Sequence, residues 1–189
     1  VQKYQTLANQ NGYKDEPYAI MPRLTGRWQK TIGKANINVF SQFTRFVHDS
    51  KQDGSRTVLY PSVRWDFNNQ WGYIRPKIGV HATYYDLGSF GNQSSRRVSR
   101  VLPIFNVDTG MTFERNANVF GKAYLQTLEP RLFYNYIPTK SQNDLPNFDT
   151  SENSFSYNQL FRENLYVGND RINSANSLTA AAQTRFLNP

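Results

Sequence analysis

Seven stretches of the chain alternate apolar and polar residues with a period of two, which is the period of a β-strand. In the stretch 57–68 one face holds Thr57, Leu59, Pro61, Val63, Trp65 and Phe67, and the other holds Val58, Tyr60, Ser62, Arg64, Asp66 and Asn68. An apolar face and a charged face, repeated in strand after strand, are typical of a membrane-spanning barrel. We therefore predict an all-β fold, an antiparallel transmembrane β-barrel.

The alternating stretches predict how much of such a barrel is present. They lie at 17–32, 35–47, 57–68, 73–85, 100–115, 120–137 and 177–187, and residues 1–8 are predicted to end an eighth strand. This gives about seven or eight strands of a larger barrel, so we expect residues 1–189 to form one segment of one barrel domain. No signal peptide precedes the strands, and an exported protein needs one, so we expect a piece of a longer chain.

The connections between these stretches alternate in length. Short turns are predicted at Gly33, Asn69 and Ala117, and longer loops at 49–56, 87–98 and about 138–176. Outer-membrane barrels have short periplasmic turns and long extracellular loops. We therefore expect the segment 138–176 to be a long extracellular loop. It is rich in aromatic residues, and we expect it to fold back over or into the barrel mouth.

Composition agrees with a membrane strand protein while excluding a membrane helix. Mean hydropathy is −0.68 and the aromatic fraction is 15%. Alternation dilutes hydropathy in a barrel, and no run approaches the ~18–20 apolar residues of a spanning helix. The absence of cysteine excludes disulfides and thiolate metal sites within these residues.

The net charge of +8 is compatible with nucleic acid, anionic lipid or a phosphorylated glycolipid as partner. Part of it could equally be solvated loop charge, as at Lys51, Arg56, Arg96 and Arg97. Given the apolar faces, we expect membrane lipid as a partner and no nucleic acid.

Charged residues on the polar faces are candidates for lining the barrel lumen. They are Arg64, Arg75, Lys77, Asp108, Glu129 and Arg131. Such groups could bind phosphates and sugar hydroxyls, or they could pair with one another across the wall. Under the second interpretation we expect Arg64 to pair with Asp66, and Glu129 with Arg131.

Five prolines interrupt the predicted strands on the apolar face. They are Pro22, Pro61, Pro76, Pro103 and Pro130. Proline has no N–H for the ladder and is normally confined to edges and bulges. Either each proline marks a bulge, or weakened pairing makes the wall deformable.

No catalytic motif stands out. The two histidines, His48 and His81, have no spacing typical of a zinc site, and neither a nucleotide-binding loop nor a calcium-type acid cluster is present. We predict no enzyme activity, no metal and no cofactor.

Several ordered segments resemble one known family. The stretch 100–115 and the segment 125–131, followed by Tyr134 and 136–138, resemble strands of the outer-membrane lipopolysaccharide-assembly family LptD. The long loop is similar as well, at 142–144, 147–149, 160–163, 168–172 and 174–176. The resemblance covers essentially all of the chain and matches the middle of that family's barrel.

This resemblance implies a function and partners. It implies part of a translocon that inserts lipopolysaccharide into the outer leaflet of a Gram-negative outer membrane, in a barrel plugged by the lipoprotein LptE. It also implies a separate periplasmic jellyroll domain, not included here, through which the bridge protein LptA delivers the substrate. The loop residues expected to contact the plug are Asp144, Phe148, Asp149, Phe161, Arg162, Asp170 and Arg171.

Three other functions stay open from the residues alone. A porin or ligand-gated transporter would also be an outer-membrane barrel. An outer-membrane lipase or protease would need a Ser–His pair at the barrel rim, where His48 is the candidate. A soluble β-sandwich that binds sugar would bury the apolar faces in a compact core.

Overall fold

A computed structural model describes residues 16–154 and 156–188. The elements are β1 Ala19–Ile32, β2 Ala35–Val47, β3 Gly54–Trp65, β4 Phe67–Asn68, β5 Gly72–Leu87, β6 Arg96–Met111, β7 Phe113–Val119, β8 Lys122–Ile137, β9 Ser151–Glu152, a 3₁₀ helix Tyr157–Phe161, β10 Tyr166–Val167 and β11 Ala175–Leu187. No helix in these ranges is long and apolar enough to cross a membrane.

The long strands form one antiparallel sheet in the order β1-β2-β3-β5-β6-β8-β11. The short strands β4 and β7 continue β3 and β6 after one-residue breaks, and β9 pairs only with β10. Within the described residues β1 and β11 are the edges, so the sheet is an open piece of wall. The predicted all-β antiparallel fold and its seven alternating strands are confirmed, whereas the predicted eighth strand lies outside the described residues.

The connections alternate in length along this sheet, as predicted. Short turns at 33–34, 69–71 and 120–121 lie at one end, and the segments 48–53, 88–95 and 138–174 lie at the other. The turn predicted at Ala117 was wrong, because Ala117 pairs with Tyr124 inside the β7–β8 hairpin. Phe120 and Gly121 make the turn instead, with φ of 51° and 77°. The asparagines flanking Ala117 are common in turns, but Gly121 reaches positive φ more easily.

The two faces of the sheet differ in the way that the alternation predicts. The outward face keeps large apolar side chains exposed, with Ile78 at 52% and Leu132 at 44% of their full accessibility. No second sheet covers that face among the described residues. A soluble β-sandwich would bury these side chains, so the wide apolar surface instead fits contact with lipid.

The inward face is covered by residues 138–174, which we call the strap. Leu145 and Phe148 of the strap pack in one apolar cluster with Phe46, Tyr85 and Leu87 of the sheet. Ile172 packs in a second cluster, with Leu102, Ile104 and Ile137. The buried core of the described residues therefore lies between the strap and the sheet.

The pairing of β6 with β8 explains where the strap sits. The two strands pair only between Phe105 and Gly110 of β6, because β8 ends at Ile137 and Pro138 cannot extend the ladder. The first half of β6, from Arg96, therefore extends beyond β8. The strap begins where β8 ends and leaves the first half of β6 unpaired on this side.

The five strand prolines lie at interruptions of the hydrogen-bonded ladders. Pro22 follows Ile20 at a shift in the β1–β2 register, as a bulge would give. Three others lie at gaps with unchanged register: Pro61 in the β3–β5 ladder, Pro76 opposite the β3–β4 break and Pro130 opposite the β6–β7 break. Pro103 precedes the start of β6–β8 pairing. The bulge interpretation therefore fits Pro22, whereas Pro61, Pro76 and Pro130 each leave a local gap in pairing.

Candidate functional site

A buried arginine lies at the centre of the contact between strap and sheet. Arg56 points inward from β3 and its side chain is 1% exposed. Its Nη1 donates to Asp149 Oδ1 and to Asp170 Oδ1, each at 2.6 Å, and its Nη2 donates to Asp149 Oδ2 at 2.9 Å. The interpretation of Arg56 as solvated loop charge was wrong. Its position two residues before inward-facing Val58 on the same strand indicates that Arg56 also faces inward.

Asp170 is the fully buried carboxylate of this centre. The Tyr85 hydroxyl donates to its Oδ1 at 2.9 Å. The backbone N–H groups of Phe148 and Asp149 donate to its Oδ2, at 2.8 and 3.0 Å. One carboxylate thus joins the sheet to two separate parts of the strap, which fixes Asp149 beside Arg56.

A second buried arginine, Arg100 of β6, binds the strap through backbone oxygens. Its Nη1 donates to the carbonyl of Asp170 at 2.6 Å, and its Nη2 donates to the carbonyl of Asn169 at 2.9 Å. Gln142 Oε1 accepts a further bond from Nη1 at 2.5 Å. Arg100 Nη2 also donates to the Thr83 hydroxyl at 3.2 Å. Within the described residues no carboxylate lies within ion-pair distance of this guanidinium.

Further along the wall Glu163 makes a third anchor. Its carboxylate accepts hydrogen bonds from Lys77 Nζ at 2.5 Å, from the Tyr60 hydroxyl at 2.7 Å and from Asn106 Nδ2 at 2.7 Å. Burial by itself would raise the pKa of Glu163, but Lys77 and these hydrogen bonds outweigh it and the pKa is lowered. The pKa of Asp149 is lowered in the same way, because its bonds to Arg56 outweigh its burial.

The six predicted lumen residues all lie on the inward face, mostly in ion pairs. Arg64 pairs with Asp66 at 2.8 Å, as predicted. The predicted pair of Glu129 with Arg131 was wrong, because each reaches a neighbouring strand instead. Arg131 of β8 binds Asp108 of β6 at 2.7 Å, and Glu129 faces Arg185 of β11 at 3.3 Å.

The remaining two candidates complete this surface. Arg75 lies 3.8 Å from Asp66 and over the ring of Tyr73. Lys77 and Arg64 border a polar cavity of about 220 Å³. Contact of these residues with a substrate stays a prediction.

The predicted plug-contact residues divide into two sets. Asp149, Asp170, Phe148 and Arg171 are held within the chain, Arg171 by the carbonyls of Leu145 and Pro146 at 2.9 Å. The Arg131 guanidinium lies over the ring of Phe161, with Cζ 4.0 Å from the ring centre. Asp144 and Arg162 are exposed. A contact with a plug stays a prediction, and of the seven predicted residues these two are exposed.

The predicted candidate for catalysis, His48, lies beside Ser50. Ser50 Oγ lies 3.3 Å from His48 Nδ1, but the Ser50 backbone N–H donates to the same nitrogen at 3.0 Å. Because that lone pair is already taken by the backbone, the contact is a local turn. Of the described residues, no group of His, Asp and Glu is arranged to hold a metal ion.

Comparison with known proteins assigns the family. The chain matches the family described as LptD: LPS transport system D over residues 1–189. The chain belongs to the LptD family. The LPS-assembly protein LptD of Neisseria meningitidis serogroup A (strain Z2491) is 71% identical over 99% of this chain.

More distant relatives carry the same name. The LPS-assembly protein LptD of Neisseria gonorrhoeae is 70% identical over 99% of the chain, and that of Chromobacterium violaceum is 47% identical over 98%. The chain spans about a quarter of the length of these relatives, 23% and 24% respectively. The open antiparallel sheet is thus a partial wall of the outer-membrane β-barrel of the LptD family.

Proposed function

We propose that this chain forms part of the wall of an outer-membrane translocon that inserts lipopolysaccharide into the outer leaflet, as a conduit without catalysis. The observation that carries the proposal is the two-faced sheet, matched along its full length by LPS-assembly relatives. Its apolar outward face suits the lipid of a Gram-negative outer membrane.

The inward face suits the polar part of the substrate. Arginine and lysine side chains bind phosphate oxygens through charge-assisted hydrogen bonds, and neighbouring amides and hydroxyls bind sugars. Arg64 and Lys77 border such a polar cavity together with Asn38 and Ser62. A phosphorylated glycolipid could therefore pass with its sugars along this face.

The proposal includes two protein partners. The plug lipoprotein LptE would contact the strap at the exposed Asp144 and Arg162. The periplasmic bridge protein LptA would deliver lipopolysaccharide to a jellyroll domain outside the residues of this chain. A porin or ligand-gated transporter is less favoured, because the strap covers much of the inward face that a diffusion pathway would need.

Depletion of the whole protein in its own bacterium tests the proposal. We expect the amount of lipopolysaccharide at the cell surface, measured with a membrane-impermeant reagent, to fall. Lipopolysaccharide that the reagent does not reach should accumulate on the periplasmic side of the outer membrane. Restoring the whole protein from a plasmid is the control. Unchanged surface lipopolysaccharide together with a loss of small-solute uptake would overturn the proposal in favour of a porin.

A further inference from the structure

Four cations of the inward face contact the strap, and the carboxylates that pair with three of them come from the strap. The cations are Arg23 of β1, Arg56 of β3, Lys77 of β5 and Arg100 of β6. The carboxylates that meet the first three are Asp149, Asp170 and Glu163, all within 138–174. With the strap lifted, this part of the wall would present four cations, on β1, β3, β5 and β6.

The strap satisfies these cations incompletely. The side chains of Arg56 and Arg100 are about 99% buried, yet the Nε–H of each has no acceptor within the described residues. An unpaired buried donor costs about 1–3 kcal/mol. Arg100 also has no carboxylate within ion-pair distance in the described part of the chain. A ligand with more acceptor oxygens and more negative charge than a carboxylate would therefore fit the two guanidinium groups better.

Phosphate has those properties. A phosphate group offers several acceptor oxygens and up to two negative charges, and arginine binds it in bidentate geometry. Hydroxyls of Tyr60, Tyr85 and Thr83 line the same face, and the first two already donate to strap carboxylates. These groups would serve the sugar to which such a phosphate is attached.

We propose that the wall beneath the strap, centred on Arg56 and Arg100, is a binding site for the phosphate groups of a phosphorylated saccharide. In the structure the carboxylates of Asp149 and Asp170 occupy the position of that ligand on Arg56. The ligand binds by displacing the strap from the wall. This assignment of the ligand rests on the proposed function, which supplies the phosphorylated glycolipid.

The architecture of the strap allows such displacement. Its regular structure is limited to the two-residue strands β9 and β10 and a five-residue 3₁₀ helix. Two apolar clusters, the three carboxylates and the hydrogen bonds of Arg100 to strap oxygens hold it to the sheet. A segment with so few ladder hydrogen bonds belongs to the less stable parts of a fold, so the strap can open while the strands stay paired.

Hydrogen–deuterium exchange of the whole protein, purified in complex with its plug lipoprotein, tests the site. The reporters are the amides of Phe148, Asp149 and Asp170, which donate to Asp170 Oδ2 and Thr150 Oγ1. They report on the wall because Arg56 and Tyr85 of the sheet hold the Asp170 carboxylate that accepts two of these bonds. The probes are lipopolysaccharide, the same lipopolysaccharide after removal of its phosphates, and inorganic pyrophosphate. We expect exchange to rise about tenfold with phosphorylated lipopolysaccharide and to stay unchanged with the dephosphorylated form.

The experiment with pyrophosphate shows whether the site recognises phosphate alone or phosphate attached to a sugar. A rise with pyrophosphate supports a site that recognises phosphate alone, and a rise with lipopolysaccharide alone supports a site that also needs the sugar. An equal response to dephosphorylated lipopolysaccharide, or no response to the phosphorylated form, would overturn the proposal.

Variants separate displacement from a purely structural role. Asp149→Asn weakens the competing strap and leaves Arg56 in place, so the apparent affinity for phosphorylated lipopolysaccharide should tighten about 3- to 10-fold. The exposed Glu152→Gln, in the same strap, should leave the affinity unchanged, and the pair R56Q/D149N should lose the gain. An unchanged or weaker affinity in Asp149→Asn contradicts the proposal. Surface lipopolysaccharide that still depends on the whole protein would then show that only this site, and not the proposed function, has failed.

Discussion

At the scale of single residues, the strap depends on carboxylates that must be ionised. The pKa of Asp149 and that of Glu163 are both lowered in the folded chain, by Arg56 and by Lys77 with its neighbours. A lowered folded-state pKa means that the stabilisation is complete above the unfolded value of about 4 and is lost as the pH falls below it.

The strap should therefore stay protected at neutral and mildly acidic pH and open below about pH 4. Pepsin cleavage of the whole protein at a series of acidic pH values, mapped by mass spectrometry, measures the opening. Opening between about pH 7 and pH 5 would contradict this expectation.

Two arginines on the same strand should differ strongly when replaced. Arg56→Gln leaves the Asp170 carboxylate buried without its cationic partner, which lowers stability by about 3–5 kcal/mol. Arg64→Gln removes a pair whose arginine is half exposed, which costs about 1 kcal/mol or less. Exchange protection of the strap amides in the two variants measures the difference, and similar losses would contradict a central role for Arg56.

At the scale of the strands, the alternation predicted which face each side chain takes. Ile78→Lys places a charge on the lipid-facing surface, so barrel stability should fall by about 2–4 kcal/mol. Gln29→Lys adds the same charge on the exposed inward face and should change stability little. Heat-modifiable gel mobility of the whole protein compares the two. Equal effects would show that Ile78 does not face lipid.

The sequence predicted the strands and their faces because a period of two is a local signal. It missed the turn at Phe120 because asparagines earlier in the hairpin are also common in turns. It missed the partners of Arg56 because Asp149 and Asp170 are 93 and 114 residues away in the chain. The partner of Glu129 was missed for a similar reason. Nearness in sequence favoured Arg131, whereas the sheet places Arg185 of β11 beside Glu129.

At the scale of the whole molecule, the strap both fills the inward face and is the expected contact with the plug. Replacing residues 145–165 with a short Gly-Ser linker removes Phe148, Asp149 and Glu163 and leaves the strands intact. Arg56 and Lys77 would then face the lumen without these partners, and the inner surface would become more open and more cationic. The change should therefore affect permeability and plug assembly together.

We expect cells that carry this replacement in the whole protein to take up more of a small anionic dye across the outer membrane. We also expect less plug lipoprotein to co-purify with the barrel. A linker that replaces the loop 88–95 at the same end of the sheet is the matched control, since it leaves the strap anchors in place. Increased dye uptake with normal plug recovery would show that the strap packs only on its own barrel, because the lumen would have opened without any loss of contact with the plug.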